Sequence, residues 1–533
     1  MARSRSSTDY LLLIGFCGFL FFFGLAYFGL IGADEPRYAQ VAREMLARHD
    51  WVTPTLGGIP WLEKPVLYYW QAMLAYAIFG VSDWAARLPS AVDATLMVAG
   101  VYVFLRRFRP GLELDGALMA ASTAGVIGFA RAASMDMPLA AMFTLGLLSW
   151  LAWHESGNRR ALALFYVLLG LATLAKGPVA PFLAAGIIAL FAWSKGDFRL
   201  VWQTLWIPGI VLFGVVALPW YVAVQIRNPE FFRVFILEHN LARFGTNLYH
   251  HEEPFWYYLP VCLLGLLPWT VFVLAALVES IRLTLAKGRA WMAAEGSFRG
   301  FFGIWLIAPV LFFSASQSKL PGYILLALPA GALLLVEYLG THLGGEGRPS
   351  LALVLAHAIA AVAPIVPVVM MQYIILQHHL PWRAGTWIAG IFAAVIAIGI
   401  VLTLLGRLGL RGLRFVTLIP VILVVAAALR IGAPALDAKL SARPLAQEIG
   451  RVETTPMTLA VFRVSRETEY GLQFYRNQII PRYGAKIPQG EHLVVGPAGS
   501  QTAIAKRVPG RRVSYLGHFA AQDLDYFWVS ASR

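Results

Sequence analysis

Apolar runs about as long as a bilayer is thick recur along most of this chain, and they limit what it can fold into. At 1.5 Å per residue, about 20 apolar residues in a helix cross the ~30 Å hydrocarbon layer. Such runs lie at 10–31, 84–105, 115–133, 137–153, 161–175, 178–194, 201–223, 257–279, 300–316, 322–340, 350–375, 385–405 and 412–431. They predict an all-α polytopic membrane protein with about 13 spanning helices. Composition agrees, because only 14% of the residues are charged, against about 25% in ordinary soluble domains.

The first run follows Arg3 and Arg5 as a secretion signal would. At about 22 residues it exceeds the usual apolar core of such a signal, and no small-residue cleavage site follows, so it reads as a retained first helix. Segment 66–80 is apolar but short and rich in aromatics, which predicts an interfacial or re-entrant helix in the first outer loop. Charge supports that choice. Basic clusters at 106–109, 159–160, 195–199, 282–299, 348 and 407–414 then share one side of the membrane, as the positive-inside rule requires, with the N-terminus cytoplasmic. Making 66–80 a span would invert every later loop. The net charge of +14 therefore encodes topology and suits anionic lipid phosphates rather than nucleic acid. Cys17 and Cys262 both sit inside apolar runs, so neither a disulfide framework nor a cysteine metal site is expected.

The chain changes character after residue 432. Short β-like runs at 457–463, 492–496, 512–516 and 526–530, with a helical segment at 467–476, predict a small soluble α/β domain. The expected organisation is a membrane domain over 1–432 and a periplasmic C-terminal domain over 433–533.

Under this topology the ionisable residues near span ends gather on the outer side. The first outer loop holds Asp34, Glu35, Arg37, Tyr38, Glu63 and Lys64, and later ones hold Asp136, Lys176, His239 with Arg243, and Lys319 with Tyr323. Charges at such depth are expensive unless paired or used. Each has a plain structural reading beside the functional one. Asp34 either caps the helix after Pro36 or does chemistry. Arg37 either pairs with Asp34 three residues back or clamps a phosphate. Glu63 either pairs with Lys64 or a nearby arginine, or serves as a ligand. Asp136 before Pro138 either caps a helix or acts in catalysis, and Lys176 either snorkels to the interface or binds phosphate. His239 alone is more often structural than a ligand. No Walker loop, dinucleotide fingerprint, HEXXH motif or serine-nucleophile elbow appears, which disfavours an ATP-driven pump and a soluble-cofactor enzyme. A lipid flippase would share the spans but favours broken helices and repeated halves at mid-membrane.

Several stretches taken together resemble a known family: ADEPRYAQVAREML (33–46), WLEKPVLYYW (61–70), SMDMP (134–138), LAKGP (174–178), PFWYYLPVCLLGLLPW (254–269) and SKLPGYILLALP (318–329). They look like motifs of bacterial GT-C glycosyltransferases of the protein-mannosyltransferase-like family, and within it of the lipid A aminoarabinose transferases. The resemblance covers about residues 10–340, is diffuse over 341–431 and weak in the tail. It implies an inner-membrane enzyme that moves a sugar from undecaprenyl phosphate to lipid A or another glycan at the periplasmic face, with no nucleotide. It places Asp34 at the catalytic acidic position, with Asp136 as a second catalytic candidate. By the same resemblance Arg37, Tyr38, Lys64, Lys176, Arg243 and Tyr323 bind the donor and its phosphate. Glu63 and His239 would hold a divalent metal ion, either zinc or magnesium or manganese.

Overall fold

The computed structural model describes residues 2–242, 253–343, 349–376, 382–453 and 455–531. The chain is mostly helical, and among the described residues eight helices are long and apolar enough to cross a membrane, or nine if one bent pair counts as a span. Helix α1 (Ala2–Cys17) passes through a π-helical turn at 18–22 and opens into turns before α2 (Asp34–Ala47). Helix α3 (Leu67–Phe79) and helix α4 (Asp83–Phe108) follow. Thirteen residues make α3 about 20 Å long, too short for the hydrocarbon layer, in keeping with an interfacial segment.

Several predicted runs are helical but interrupted. The run at 115–133 divides into Glu113–Ala121 and Ala124–Ala130, and 350–375 into Leu351–Val362 and Ile365–Leu376. The run at 257–279 breaks between Tyr258–Gly265 and Thr270–Ala293, whose axes differ by 115°. Hydropathy averaged over a window does not register a break of a few residues, which is why these read as single spans.

Interrupting helices inside a membrane frees backbone carbonyls, and each left unpaired costs several kcal/mol there. Two arginines meet that need at the first break in chain order, where the run 10–31 leaves helical geometry after Phe22. Arg87, on α4 and fully buried, donates to the carbonyls of Leu25, Phe28 and Gly29 at 2.8–2.9 Å. Arg131 donates to the carbonyls of Leu20 and Phe23 at 3.0 and 2.8 Å. The charge of Arg87 is balanced by Glu35, 2.7 Å away, whose carboxylate also accepts from the amides of Ile31 and Ala133 at 2.8 and 2.7 Å.

Polar groups sort to the two ends of the bundle. The helix Asp136–Ser156 carries Asp136 at its start and His154 near its finish, about 27 Å apart along the axis. His154 meets Lys195 at 3.0 Å at the far end, and the ion pairs Arg109–Glu337 and Arg299–Glu279, at 2.7 and 2.6 Å, belong to helices of the same bundle.

The C-terminal region forms a four-stranded sheet in the order β3 (Thr458–Val461), β4 (His492–Pro497), β6 (Leu524–Val529), β5 (Val513–Phe519). The hairpin β1 (Thr55–Leu56) and β2 (Ile59–Pro60) lies earlier, in the first outer loop. Strands β3 and β4 are parallel and the other pairs antiparallel. A parallel pair needs a crossover, which the helix Arg466–Arg476 supplies. That helix starts at a serine cap, Ser465 accepting from the Thr468 amide, and stops at Asn477 in the left-handed region. The sheet region is docked on the membrane portion through polar contacts. Asp437 accepts from the Gly29 amide at 2.7 Å, Tyr475 donates to Asp83 at 2.6 Å, and Arg443 pairs with Asp83 at 2.8 Å.

Candidate active site

Two acids adjacent in sequence take different roles. Glu35 is buried in the Arg87 network. Asp34 opens α2 with its side chain 55% exposed and forms an ion pair with Arg37 one turn on. Neither caps the helix through its side chain: the helix begins at Asp34 itself, and the residue before it is Ala33. A carboxylate in the first turn of a helix is favoured by the helix dipole, and Asp34 occupies that turn.

Arg37 is enclosed by aromatic rings. Its guanidinium lies 5.1 Å from the ring centres of Tyr38 and Trp61, and 5.8 Å from that of Tyr470 in the C-terminal region. Burial opposes its charge, but Tyr38, Asp34 and Glu63 outweigh that and hold its pKa above the ordinary value. Burial pushes the Tyr38 phenol well up; Asp34 adds to this, Arg37 pulls down, and Asp136 adds again. Asp34, Arg37, Tyr38, Glu63 and Asp136 thus act on one another within one electrostatic neighbourhood.

The loop carrying Glu63 and Lys64 is held by α2. Gly57 and Gly58 both have positive φ, which a two-residue hairpin turn requires and glycine accommodates. Glu44 of α2 accepts from the Thr55 hydroxyl and from the amides of Gly57 and Gly58, at 2.8, 2.8 and 3.1 Å. That fixes the β1–β2 hairpin just before Glu63. The opposite wall comes from the helix Ile207–Arg227, whose Trp220 donates to the Val52 carbonyl at 3.0 Å. A π-helix, Phe232–Ala242, follows and carries His239. Its Nε2 lies 3.7 Å from Glu63 Oε1. Lys64 is half-buried beside Glu63. Arg243 falls outside the described residues.

The third side is built from Asp136 and Lys176. Asp136 starts its helix and forms an ion pair with Lys176 at the end of the helix Arg159–Lys176. The hydroxyl of Ser134, not the Asp136 carboxylate, accepts from the Asp136 amide, at 3.3 Å. Lys176 Nζ lies 4.6 Å from the ring centre of Tyr323. The turn Pro321–Leu326 closes over this pair so tightly that a β-carbon on Gly322 would stand 2.7 Å from the Asp136 carboxylate. Gly322→Ala should therefore displace Asp136 and lower turnover by about tenfold or more with the thermal midpoint little changed. Wild-type turnover in that variant would show that Asp136 tolerates movement. Lys319 is used within its own loop, donating to the Ser316 carbonyl at 2.6 Å.

The structure thus brings Asp34, Arg37, Tyr38, Glu63, His239, Asp136, Lys176 and Tyr323 to one end of the bundle. Sequence reasoning missed Tyr470, which reaches Arg37 from the tail, and Trp61 as a partner of Arg37. Trp61 was visible only as an interfacial aromatic, and nothing in the amphipathic pattern of 466–476 marks Tyr470. Three buried donors here, Arg37 Nε, Trp61 Nε1 and the Tyr69 hydroxyl, have no hydrogen-bond partner among the described residues.

Glu63 and His239 fit a divalent ion as a pair. A nitrogen and a carboxylate oxygen 3.7 Å apart can both reach one ion at the usual ~2.0–2.2 Å bond lengths. No group of three or more such ligands occurs among the described residues.

Comparison with known proteins follows the same lines. The family model for dolichyl-phosphate-mannose-protein mannosyltransferase matches residues 7–235. An undecaprenyl phosphate-alpha-4-amino-4-deoxy-L-arabinose arabinosyl transferase of Pseudomonas aeruginosa is 35% identical over 383 residues, 68% of this chain and 66% of that protein. Its namesake in Edwardsiella ictaluri is 32% identical over 324 residues, 59% of this chain and 56% of that protein. The chain thus aligns with just under two thirds of the Pseudomonas relative and less of the other. The crystal structure of ArnT from Cupriavidus metallidurans in the apo state shares the fold over 98% of both chains, with a TM-score of 0.77 and 23% identity. The form bound to undecaprenyl phosphate matches over 97% of both chains with a TM-score of 0.76 and 22% identity. The outer-loop motifs, the mannosyltransferase-type match and these relatives agree in likening the chain to the aminoarabinose arabinosyl transferases, and its fold is that of ArnT.

Proposed function

We propose that the chain transfers 4-amino-4-deoxy-L-arabinose from undecaprenyl phosphate to lipid A at the periplasmic face of the inner membrane. The observation that carries this reading is the gathering of Asp34, Arg37, Glu63, His239, Asp136 and Lys176 at one end of a membrane-spanning bundle. The relatives' printed names supply the sugar and its carrier. The 13-span topology, the cytoplasmic N-terminus and the division at residue 432 into a membrane domain and a periplasmic domain belong to the same proposal.

The reaction is substitution at the anomeric carbon. An acceptor oxygen forms the new C–O bond as the bond to the carrier phosphate breaks, and the electron pair leaves with the polyprenyl phosphate. One displacement inverts the anomeric centre. Negative charge grows on the departing phosphate, so cations fixed beforehand lower the barrier. Lys64 and Lys176 serve this role, with Arg37 held in place by its aromatic rings, and Arg243 joins them by family resemblance. The buried donors of Arg37, Trp61 and Tyr69 gain acceptors when phosphate and sugar oxygens arrive, relieving about 1–3 kcal/mol for each unsatisfied group. Asp34 orients the acceptor, takes a proton where the acceptor is a hydroxyl, and stabilises positive charge developing on the sugar. Asp136 holds Lys176 in place. Glu63 and His239 would hold a divalent ion, which would supply further positive charge beside the phosphate.

The direct test is purified protein in lipid nanodiscs with undecaprenyl-phosphate aminoarabinose and lipid A, with products read by mass spectrometry. Sugar-modified lipid A is expected, and transfer to a different acceptor or none would reject the assignment. Lys64→Ala should weaken binding of undecaprenyl phosphate by about tenfold, near the 1.5–3 kcal/mol of a hydrogen bond to a charged group. Unchanged affinity would remove Lys64 from the site.

A further inference from the structure

Asp93 is a buried acid that the site described above does not use. It lies on α4 ten residues after Asp83, about 15 Å along a helix long and apolar enough to cross the membrane, and is 1% exposed. Both of its carboxyl oxygens face the amide nitrogen of Gln71 on α3, at 3.1 and 3.0 Å. The carbonyl oxygen of Gln71 is buried and has no hydrogen-bond partner among the described residues.

No cation balances this acid among the described residues. Helix α3 carries no charged side chain. On α4 itself, Arg87 is held by Glu35 and by the carbonyls of the first break, and Arg106 and Arg107 lie about 20 Å further along the axis. The helix Asp136–Ser156 packs on α4 and has its charged or titratable groups, Asp136, His154 and Glu155, at its two ends. The helix Glu113–Ala121 brings only acids, Glu113 and Asp115, and Asp115 pairs with Arg414 at 3.1 Å. Arg131, which follows the helix Ala124–Ala130, is bonded to the carbonyls of Leu20 and Phe23. An ionised carboxylate at such depth with no counter-charge is so costly that the group takes up a proton instead. A neutral acid needs an acceptor for its O–H and keeps an oxygen that accepts. Gln71 offers both, because its unpartnered oxygen comes round to Asp93 when the amide turns about its last side-chain bond.

The consequence reaches the site through α3. Tyr69 stands two positions before Gln71, so the two side chains point about 160° apart. With Gln71 anchored on α4, Tyr69 faces Tyr38, 6.4 Å away between ring centres, and shares the electrostatic neighbourhood of Arg37, Glu63 and Asp34. Tyr68 adds a second tie, its hydroxyl donating to the Ala86 carbonyl of α4 at 2.8 Å.

We propose that Asp93 is kept as a neutral carboxylic acid paired with Gln71, and that this pair is a positioning device that sets how α3 presents Tyr69 to the site. The protonation state stands on the surroundings of Asp93 alone, and the positioning role rests on the activity proposed above.

Infrared difference spectra of full-length protein in lipid nanodiscs, parent minus Asp93→Asn, test the first half at about pH 8, roughly four units above the ordinary aspartate value. The carbonyl band of a protonated acid, missing in the variant, is expected, and a carboxylate band in its place overturns the proposal. Gln71→Leu should shift that band, because the acid loses its partner. Transfer rates test the second half. Asp93→Asn should keep kcat, KM and the thermal midpoint, since an amide pairs with Gln71 as a neutral acid does. Gln71→Leu and Asp93→Leu should lower kcat/KM about tenfold or more by misplacing Tyr69. Parental kcat/KM in Gln71→Leu, or a loss in Asp93→Asn as deep as in Asp93→Leu, overturns the positioning role. Should Asp93→Leu fail to fold, Gln71→Leu and Asp93→Asn still decide. A parent that shows the acid band and transfers no sugar would sink the proposed activity and leave the neutral pair standing.

Discussion

Replacing Asp34 by asparagine is expected to cut sugar transfer by about a thousandfold or more while leaving yield and thermal midpoint at parental values. The change keeps shape and removes one charge. The stability cost is small, because Asp34 is more than half exposed and its one ion pair among the described residues is with Arg37 within the same helix, a class worth about 0.3–0.5 kcal/mol. The catalytic cost is large, because a positioned acid or base contributes about 10²–10⁴ in rate and stabilisation of charge on the sugar is lost with it. Initial rates with undecaprenyl-phosphate aminoarabinose, set beside donor affinity, separate the two effects. Full turnover with the asparagine variant would reject Asp34 as the acid. Loss of activity together with a collapsed midpoint would mean that its role is structural.

The other large effect falls on Arg87. Arg87→Leu should lower stability by about 3–5 kcal/mol, the range for stranding one member of a buried ion pair, with a marked fall in the thermal midpoint. Arg87 also bonds three carbonyls of the first break, and these would be orphaned together with Glu35. Replacing both Glu35 and Arg87 by leucine should not restore stability, because the amides of Ile31 and Ala133 would lose their acceptor as well. This differs from an isolated buried pair, where apolar replacement of both members is often neutral. A double variant as stable as the parent would show that the backbone bonds carry little, and that the pair matters only for its mutual charge.

The contrast between Asp34 and Glu35 shows what the residues alone could and could not disclose. Two acids side by side read alike, and the resemblance to a family singled out Asp34. The fully buried arginine that captures Glu35 lies 52 positions on, within a stretch that reads only as part of a spanning helix. The apolar runs were plain because hydropathy is summed locally, and the tail strands were plain as short β-like runs, three of them buried almost throughout rather than alternating. Breaks were not, since a few residues with helix-ending geometry vanish in a window average. The pairing of Glu63 with His239 could not be read from a separation of 176 positions, and the residues left several partners for Glu63 open. Lys176 and Asp136 each had an adequate reading as a single interfacial group, and only the fold joins them.

Tyr470 closes over Arg37 from a segment made after every spanning helix has been synthesised. Asp437, Arg443 and Tyr475 then fasten that segment to the turn after the first helix and to the start of α4. A chain that stopped short of these residues would sit in the bilayer with its acid and lysines in place and its arginine uncovered. On the activity proposed above, competence for sugar transfer would be conferred at the end of biosynthesis, and prematurely terminated products lodged in the membrane would not consume carrier lipid.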